Sequence, residues 1–495
     1  MIGELLHPSV LTPWLLGMVF GIFVGATPGL TATMAVALIV PISFHLEPTA
    51  GLALIIGVSF TAIFAGDIPA TYLRIPGTPA SAAAALDGHQ MARQGRGSLA
   101  LTLDLGCSAL GGLVGVGLLI TVAPLLAQFA LLFSFHERFW LAVFGLSLSA
   151  LVSAGSTSKG LMAACLGMLL STVGIDVVSG VPRYTWGNVS LMSGLDFIPV
   201  MIGLFGLSEV FRHIRRPSGS MRQQVVVGRE SLPLLEACRL IWRHKLNVLR
   251  SSVVGTVIGA LPGAGADIAA WGAYGLAQKT SRRGASFGTG VVEGVVAPTS
   301  ANNAAVAGAW IPALVFGVPG DAVTAIVLGA LMMYDITPGP EIFETSKDQM
   351  RSLFAVALMT QVLLLVAGLI GIKAFGAILR LPRSIVLTAV VVFSVVGSFA
   401  LNNSLFDVGV MLLFGVVGYL LESQRVPLAP MILGLILGPM VEESLRVGLI
   451  SSDGNLASFF TSPISAVLVA LLLLTYIGLP AMKVLLRPGS LTPRP

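Results

Sequence analysis

The stretch "GTVIGALPGAGADIAAW" (residues 255–271) carries four glycines, a proline and an acid inside an otherwise apolar region. A related phrase, "GIFVGATPGLTA", occupies residues 21–32. A bilayer-spanning helix tolerates such a break only where protein or a water-filled cavity satisfies the freed backbone groups. The same break, made twice about half a chain apart, points to a duplicated unit built around a polar site.

Sliding the sequence on itself extends the match. At an offset of 234, Gly21, Gly25, Ala26, Pro28 and Gly29 fall on Gly255, Gly259, Ala260, Pro262 and Gly263. At an offset of 243, "IPGTPAS" (75–81) falls on "VPGDAVT" (318–324). At an offset of 231, "IPVMIGLFGLSE" (198–209) resembles "APMILGLILGPM" (429–440) through Pro199/Pro430 and Gly203/Gly434. Three matches in one order define a first membrane repeat over 1–211 and a second over 248–445. A basic linker with an amphipathic segment (212–247) joins them, and an extra helix (463–485) lies in the closing segment 446–495.

The 495 residues are 55% hydrophobic and 10% charged, with a mean hydropathy of +0.92. Soluble domains carry about 25% charged residues, so a soluble protein with a large core is excluded. Apolar runs near the ~20 residues of a bilayer crossing recur, as in Leu99–Leu126, Leu353–Phe375 and Pro463–Leu485. The fold class is therefore an all-α polytopic membrane protein. The three cysteines lie far apart, form no CxxC pair and read as small core residues. The net charge of +5 reflects loops between spans and predicts no nucleic-acid partner. With Arg74 the first Lys or Arg, a cleaved signal peptide is not expected.

Loop charge sets the topology. The region 211–250 holds nine Lys/Arg against Glu230 and Glu236, which places the central loop in the cytoplasm. "DGHQMARQGRG", after the first IPG motif, is basic, whereas its counterpart "DITPGPEIFETSKD" has four acids and one lysine. Corresponding loops change bias, as two inverted-topology repeats require. Basic residues flank both ends of 248–278, so that segment enters and leaves on one side as a re-entrant hairpin turning at Pro262–Gly263. The stretch 11–44 does the same from the opposite face. The extra helix returns the C-terminus, with Lys483 and Arg487, to the cytoplasm.

A helix starting after such a break aims N–H groups and a positive dipole end into the site, which suits a carboxylate. Pro28, Gly29, Thr31 and Thr33 at the first break, and Gly263 and Gly265 at the third, are candidate substrate contacts on that ground. "RIPGTPASAA" (74–83) contributes Gly77, Thr78 and Ser81, and "GVPGDAVTAI" (317–326) contributes Gly320 and Thr324. "APTSANNAAVAGAWIP" (297–312) adds Ser300, Asn302 and Asn303, polar groups that face protein, water or ligand. Asp267, Thr299 and Asp321 are candidates for a coupling ion, Na+ or H+, because such an ion takes oxygen ligands. Close helix packing is the alternative use of the glycines, and interhelical hydrogen bonding that of the hydroxyls. Asp67, Asp104 and Glu293 are further acids within the apolar regions, and Asp67 admits a structural pairing with Arg74.

Other chemistries find no support. "GSTSKG" (155–160) lacks the Walker A spacing, and no segment reads as a nucleophile elbow or dinucleotide loop. The six histidines are scattered in loops, so no metal site beyond possible Na+ and no catalytic cluster is predicted. A secondary transporter is the leading class, with a passive anion channel and a membrane-embedded enzyme as alternatives.

At these motifs the sequence resembles the TctA-type large membrane subunit of tripartite tricarboxylate transporters. The resemblance rests on "GATPGLTATMAVALIVPISF", "IPGTPASAAAALDG", "GALPGAGADIAAW", "APTSANNAAVAGAWIP", "GVPGDAVTAIVLGAL" and "FIPVMIGLFGLSE", and covers nearly the whole chain. It implies a multi-pass permease of the bacterial inner membrane. Its implied partners are a small membrane subunit of TctB type and a periplasmic solute-binding protein of TctC type. It also implies ion-driven uptake of tricarboxylates, dicarboxylates or related organic anions. Thr299 departs from the pattern, since Glu often stands there in the family.

Overall fold

A computed structural model describes residues 2–152, 156–176, 178–215, 232–378 and 383–478. Residues 216–231 of the sequence-derived linker and the last residues expected in the C-terminal helix lie outside the described residues.

Pro8 at a helix start and the cap of His7 on Ser9 N–H open α1 (Pro8–Ala26), which stops at Thr27. Thr31 caps α2 (Ala32–Ser43). Pro48, which lacks an N–H and so suits a first helical position, starts α3 (Pro48–Leu73). At 26 residues, α3 is about 39 Å long, more than the ~30 Å hydrocarbon thickness. It ends on Arg74 in the left-handed region (φ 57°). The 3-10 turn Pro79–Ala82, α4 (Ala84–Arg93), α5 (Gly97–Ala130), α6 (Phe135–Val152) and α7 (Thr157–Ser171) follow. A hairpin of β1 (Gly174–Ile175) and β2 (Pro182–Arg183) then leads to α8 (Phe197–Met201) and α9 (Ser208–Arg215), joined through a π-helical turn.

The second half repeats the opening order of elements. The amphipathic α10 (Leu234–Arg243) precedes α11 (Lys245–Gly259), a break, α12 (Gly265–Thr280), the long α13 (Val292–Phe316), a second break and α14 (Ala322–Met333). Helices α15 (Lys347–Ile378), α16 (Arg383–Asn402), α17 (Leu405–Ser423), α18 (Ala429–Ser451) and α19 (Pro463–Leu473) complete the chain. Among the described residues six helices are long and apolar enough to cross a membrane: α1, α3, α5, α15, α17 and the Ser384–Asn402 part of α16. With one two-stranded ribbon in an otherwise helical chain, this is an all-α polytopic membrane protein.

Glycine sets the helix spacing. An added Cβ at Gly21 or Gly25 would lie 2.7 or 2.3 Å from the carbonyl oxygens of Val58 and Ala62, so α1 lies directly on α3. At Gly255 and Gly259 it would lie 2.4 and 2.2 Å from those of Ala301 and Ala305, so α11 lies on α13 in the matching way. Small residues at i, i+4 allow this approach in lipid, where van der Waals packing replaces the hydrophobic drive between helices. Gly111 and Gly115 bring α5 onto the backbone of α13 at Ser300 and Ala304. Helix α13, enclosed by α5, α11 and α12, is buried along nearly its whole length.

Away from this centre, the hairpin is fastened to α18 by ion pairs. Arg183 makes a two-pronged contact with Glu442 at 2.6 and 3.1 Å, and Arg446 reaches both oxygens of Asp176 at 2.8 Å. The Arg446 guanidinium and the Ser179 hydroxyl hold the Asp176 carboxyl well below the usual carboxylate range.

Candidate functional site

The four Pro-Gly breaks pair within each half, and the elements that follow them join the two pairs into a ring of packed segments. Gly77, in the second break, packs against the first: a Cβ there would lie 2.2 Å from the Gly25 carbonyl oxygen. Gly320, in the fourth, packs against the third in the corresponding way, 2.6 Å from the carbonyl oxygen of Gly259. The second break reaches the third because the 3-10 turn packs on α12, where Ala83, Ala270 and Tyr274 cluster. Between the halves, α14 packs on α2, and the Tyr334 hydroxyl past the C-terminal end of α14 donates to the Ser43 carbonyl at the C-terminal end of α2.

The ends of the long helices match as well. Arg74 N–H donates to Ala70 O at 3.1 Å and Ile75 N–H to Pro69 O at 3.4 Å. Gly317 N–H donates to Ala313 O at 3.1 Å and Val318 N–H to Pro312 O at 3.3 Å. These are the same left-handed terminations, 243 residues apart, and they satisfy carbonyls that a cut helix leaves open.

The two sides of the ring differ in chemistry. On the first-half side, Pro28, Gly29, Thr31 and Thr33 are partly accessible, and Thr31 caps α2 by accepting from Met34 N–H at 3.2 Å. Thr78 and Ser81 are buried and share a 2.8 Å hydrogen bond. On the second-half side, Asp321 and Thr324 form a reciprocal cap on α14, with bonds of 2.7 and 2.9 Å. A carboxylate thus already occupies that positive helix end. Asp267, in the first turn of α12, is accessible and lies in the field of Asp321. A Cβ at Gly265 would come within 3.2 Å of the Asp321 Cβ. No side chain caps α12.

Several sequence-derived candidates take other roles. Gly263 was expected to admit a ligand; here a Cβ would fall 2.3 Å from the Ser149 Cα of α6, so its near neighbour is protein. The hydroxyls of Thr299 and Ser300 turn back onto their own helix, donating to Val295 O at 2.9 Å and Val296 O at 2.8 Å. Asn302 and Asn303 are fully buried and reach α3 and α5: Asn302 Nδ2 donates to Asp67 Oδ2 and Asn303 Nδ2 to Ser108 O, each at 3.2 Å. Asp67 makes no ion pair with Arg74; its carboxyl meets that of Asp104 instead. Sequence reading named both acids without joining them. It passed over Trp310, whose indole N–H is buried with no partner among the described residues, one position beyond the Ala309 against which Gly320 packs.

Comparison with known proteins gives this architecture a family. The model of the tripartite tricarboxylate transporter TctA family matches residues 11–433. An Agrobacterium vitis protein described as an uncharacterized 52.8 kDa protein in the TAR-I ttuC' 3' region is 34% identical over 474 residues, 96% of this chain and 92% of its own length. A second protein of that organism, described as uncharacterized and in the TAR-II ttuC' 3' region, is 36% identical over 217 residues, 44% of this chain and 90% of its own. No solved structure matches. The chain belongs to the tripartite tricarboxylate transporter TctA family and is a membrane subunit of such a transporter.

Proposed function

We propose that the chain is the large permease subunit of a binding-protein-dependent secondary transporter, carrying a di- or tricarboxylate or related organic anion into the cell by alternating access. The ring of four Pro-Gly breaks is the observation that carries this reading. Two inverted halves would supply two breaks each; the repeated order of elements and the paired contacts Gly25–Ala62 and Gly259–Ala305 support the duplication. The biased loop charges support the inversion.

The anion is assigned to the uncharged side, among Pro28, Gly29, Thr31 and Thr33, where α2 begins. The first turn of α2 directs its N–H groups and positive dipole end toward that side, which suits a carboxylate. The driving cation, Na+ or H+, is assigned to the acid side, at Asp267 and Asp321. A periplasmic solute-binding protein delivers the substrate, and a small membrane subunit completes the assembly in the bacterial inner membrane, with the central loop and C-terminus cytoplasmic.

The experiment is uptake of labelled di- and tricarboxylic acids by cells holding the solute-binding protein and small subunit, with and without this chain. Uptake of at least one acid that needs this chain and collapses with the cation gradients is expected. Equal uptake of every acid in both strains overturns the proposal, and gradient-independent conduction replaces it with a channel.

A further inference from the structure

We propose that Asp67 and Asp104 carry one shared proton and form a coupling site distinct from the acid side of the ring, a reading that rests on the transport function above. Asp67 on α3 and Asp104 on α5 are both buried. Each has one oxygen engaged by a neutral donor: Asp67 Oδ2 by Asn302 Nδ2 at 3.2 Å, and Asp104 Oδ1 by the Ser108 hydroxyl at 3.1 Å. Adjacent residues of α13 bring the two acids together: Asn302 reaches Asp67, and Asn303 reaches the carbonyl of Ser108, whose hydroxyl holds Asp104, so each carboxyl lies in the field of the other. Their remaining oxygens, Asp67 Oδ1 and Asp104 Oδ2, are buried without a partner, as is Asn302 Oδ1.

A carboxylate oxygen only accepts hydrogen bonds. Two ionised carboxyls in contact would set lone pair against lone pair in a medium that strengthens their repulsion. Among the described residues no Lys, Arg or His forms an ion pair with either. Cys107, on the same helix, is a further ionisable group beside the pair. From α13 come Thr299, Ser300, Asn302 and Asn303, and from the 3-10 turn Ser81, none of which carries charge. On α4, Asp87 is held by Tyr274 and the N–H groups of Gly288, Gly290 and Val291, and His89 by Thr71 O. One proton between the acids removes the conflict: the protonated carboxyl donates to the other, as in acid pairs that share a proton.

The site is wired to the ring. Ser81 and Thr78 of the second break, bonded to each other at 2.8 Å, both sit against Gly66, the residue before Asp67, where a Cβ would lie 2.7 Å from either hydroxyl oxygen. Movement of that break therefore alters the partners of Asp67, which is what links proton release to a substrate step. A multivalent anion entering against an inside-negative potential also needs more than one accompanying positive charge, and this pair supplies one beyond the acid side of the ring.

Two measurements test this. In infrared spectra of the purified chain in lipid nanodiscs near neutral pH, wild type minus Asp104→Asn should show the C=O band of a protonated carboxylic acid. Asn supplies the donor that the shared proton supplied, so the variant is expected to fold. Absence of the band overturns the proposal. In vesicles holding the complete transporter, with the acid found in the uptake screen, an inward pH gradient without sodium should drive accumulation by wild type. Asp104→Asn and Asp67→Asn should lose that accumulation to background yet still exchange labelled for unlabelled substrate. Undiminished accumulation by both variants, or wild-type accumulation driven by sodium and indifferent to pH, overturns the coupling role of the pair but leaves transport standing. A wild type that moves no acid under any gradient overturns the transport reading itself, and the infrared result then still decides the proton.

Discussion

Gly263 donates its backbone N–H to the carbonyl oxygen of Gly320 across 2.7 Å, tying the third break to the fourth. Neither group belongs to a regular helix, so each needs a partner from outside its own segment. Gly263 also sits at φ 80°, where a side chain is strained.

Gly263→Ala is accordingly expected to lower stability by about 1–3 kcal/mol, through strain and contact with α6 together. Ser149→Gly should not restore it, because the added methyl meets the Ser149 Cα at 2.3 Å as well as its side chain. Thermal unfolding of the purified variants checks this; a stable Gly263→Ala protein, or rescue by Ser149→Gly, contradicts it. Loss of transport in this variant alone therefore does not identify a ligand contact.

Asp321 both caps a helix and carries charge, and the two roles separate by substitution. Asn caps as well as Asp, whereas Ala costs about 1 kcal/mol at a cap. Asp321→Asn should keep wild-type stability and change the cation dependence of uptake, while Asp321→Ala should lose both. Asp267→Asn, which removes the charge facing Asp321, should alter cation dependence with little effect on folding. Cation titrations of uptake and melting curves on the three variants give the comparison, and unchanged cation dependence in both Asn variants removes this side from the ion path.

Much of this arrangement was legible in the sequence, for local reasons. The Pro-Gly turns act within a few residues of where they stand, and the spacing that Gly25 and Gly259 share marks them as a pair, whereas the capping roles of Thr31 and Asp321 emerge only from the folded turns. The fate of Thr299 and Ser300 was not legible: a hydroxyl in a helix chooses between its own i−4 carbonyl and a distant partner, and packing decides. The contact of Asp67 with Asp104 depends on the register of α3 against α5 and α13. That register is set by glycine contacts such as Gly111 on Ser300, which no periodicity within one helix reveals. The inverted repeat was read from loop charges, many of them beyond the described residues.

At the ion-paired hairpin, Asp176 gives a pH dependence whose direction follows from its partners. Its carboxyl is held well below the ordinary range by Arg446 and Ser179. The stabilisation is therefore fully present above the usual carboxylate range and fades as pH falls through the depressed value. Hydrogen exchange over 174–183 should stay slow at neutral pH and rise under strongly acidic conditions. Asp176→Asn should show fast exchange already at neutral pH and no further acid transition from this group. An acid response unchanged in Asp176→Asn assigns the effect elsewhere, with Glu442 next to be tested.

The paired glycines Gly77 and Gly320 make the sharpest comparison between the halves. Each packs against a glycine carbonyl at the neighbouring break, Gly25 O at 2.2 Å and Gly259 O at 2.6 Å from an added Cβ. Both obstacles are backbone atoms, which no rotamer change moves aside, so either alanine must shift one break away from its neighbour. Gly77→Ala and Gly320→Ala should each cost about 1–3 kcal/mol of stability and reduce uptake strongly. Gly77→Ala should have the larger effect, because its approach is closer and because the displaced turn carries Thr78 and Ser81, the link to Asp67. Alanine at Gly117 on α5, where a Cβ meets nothing within 4 Å, is the control: it makes the same substitution without the collision. Uptake and melting temperature across the three variants isolate the collision, and equal losses in all three overturn the contact between the breaks as the cause.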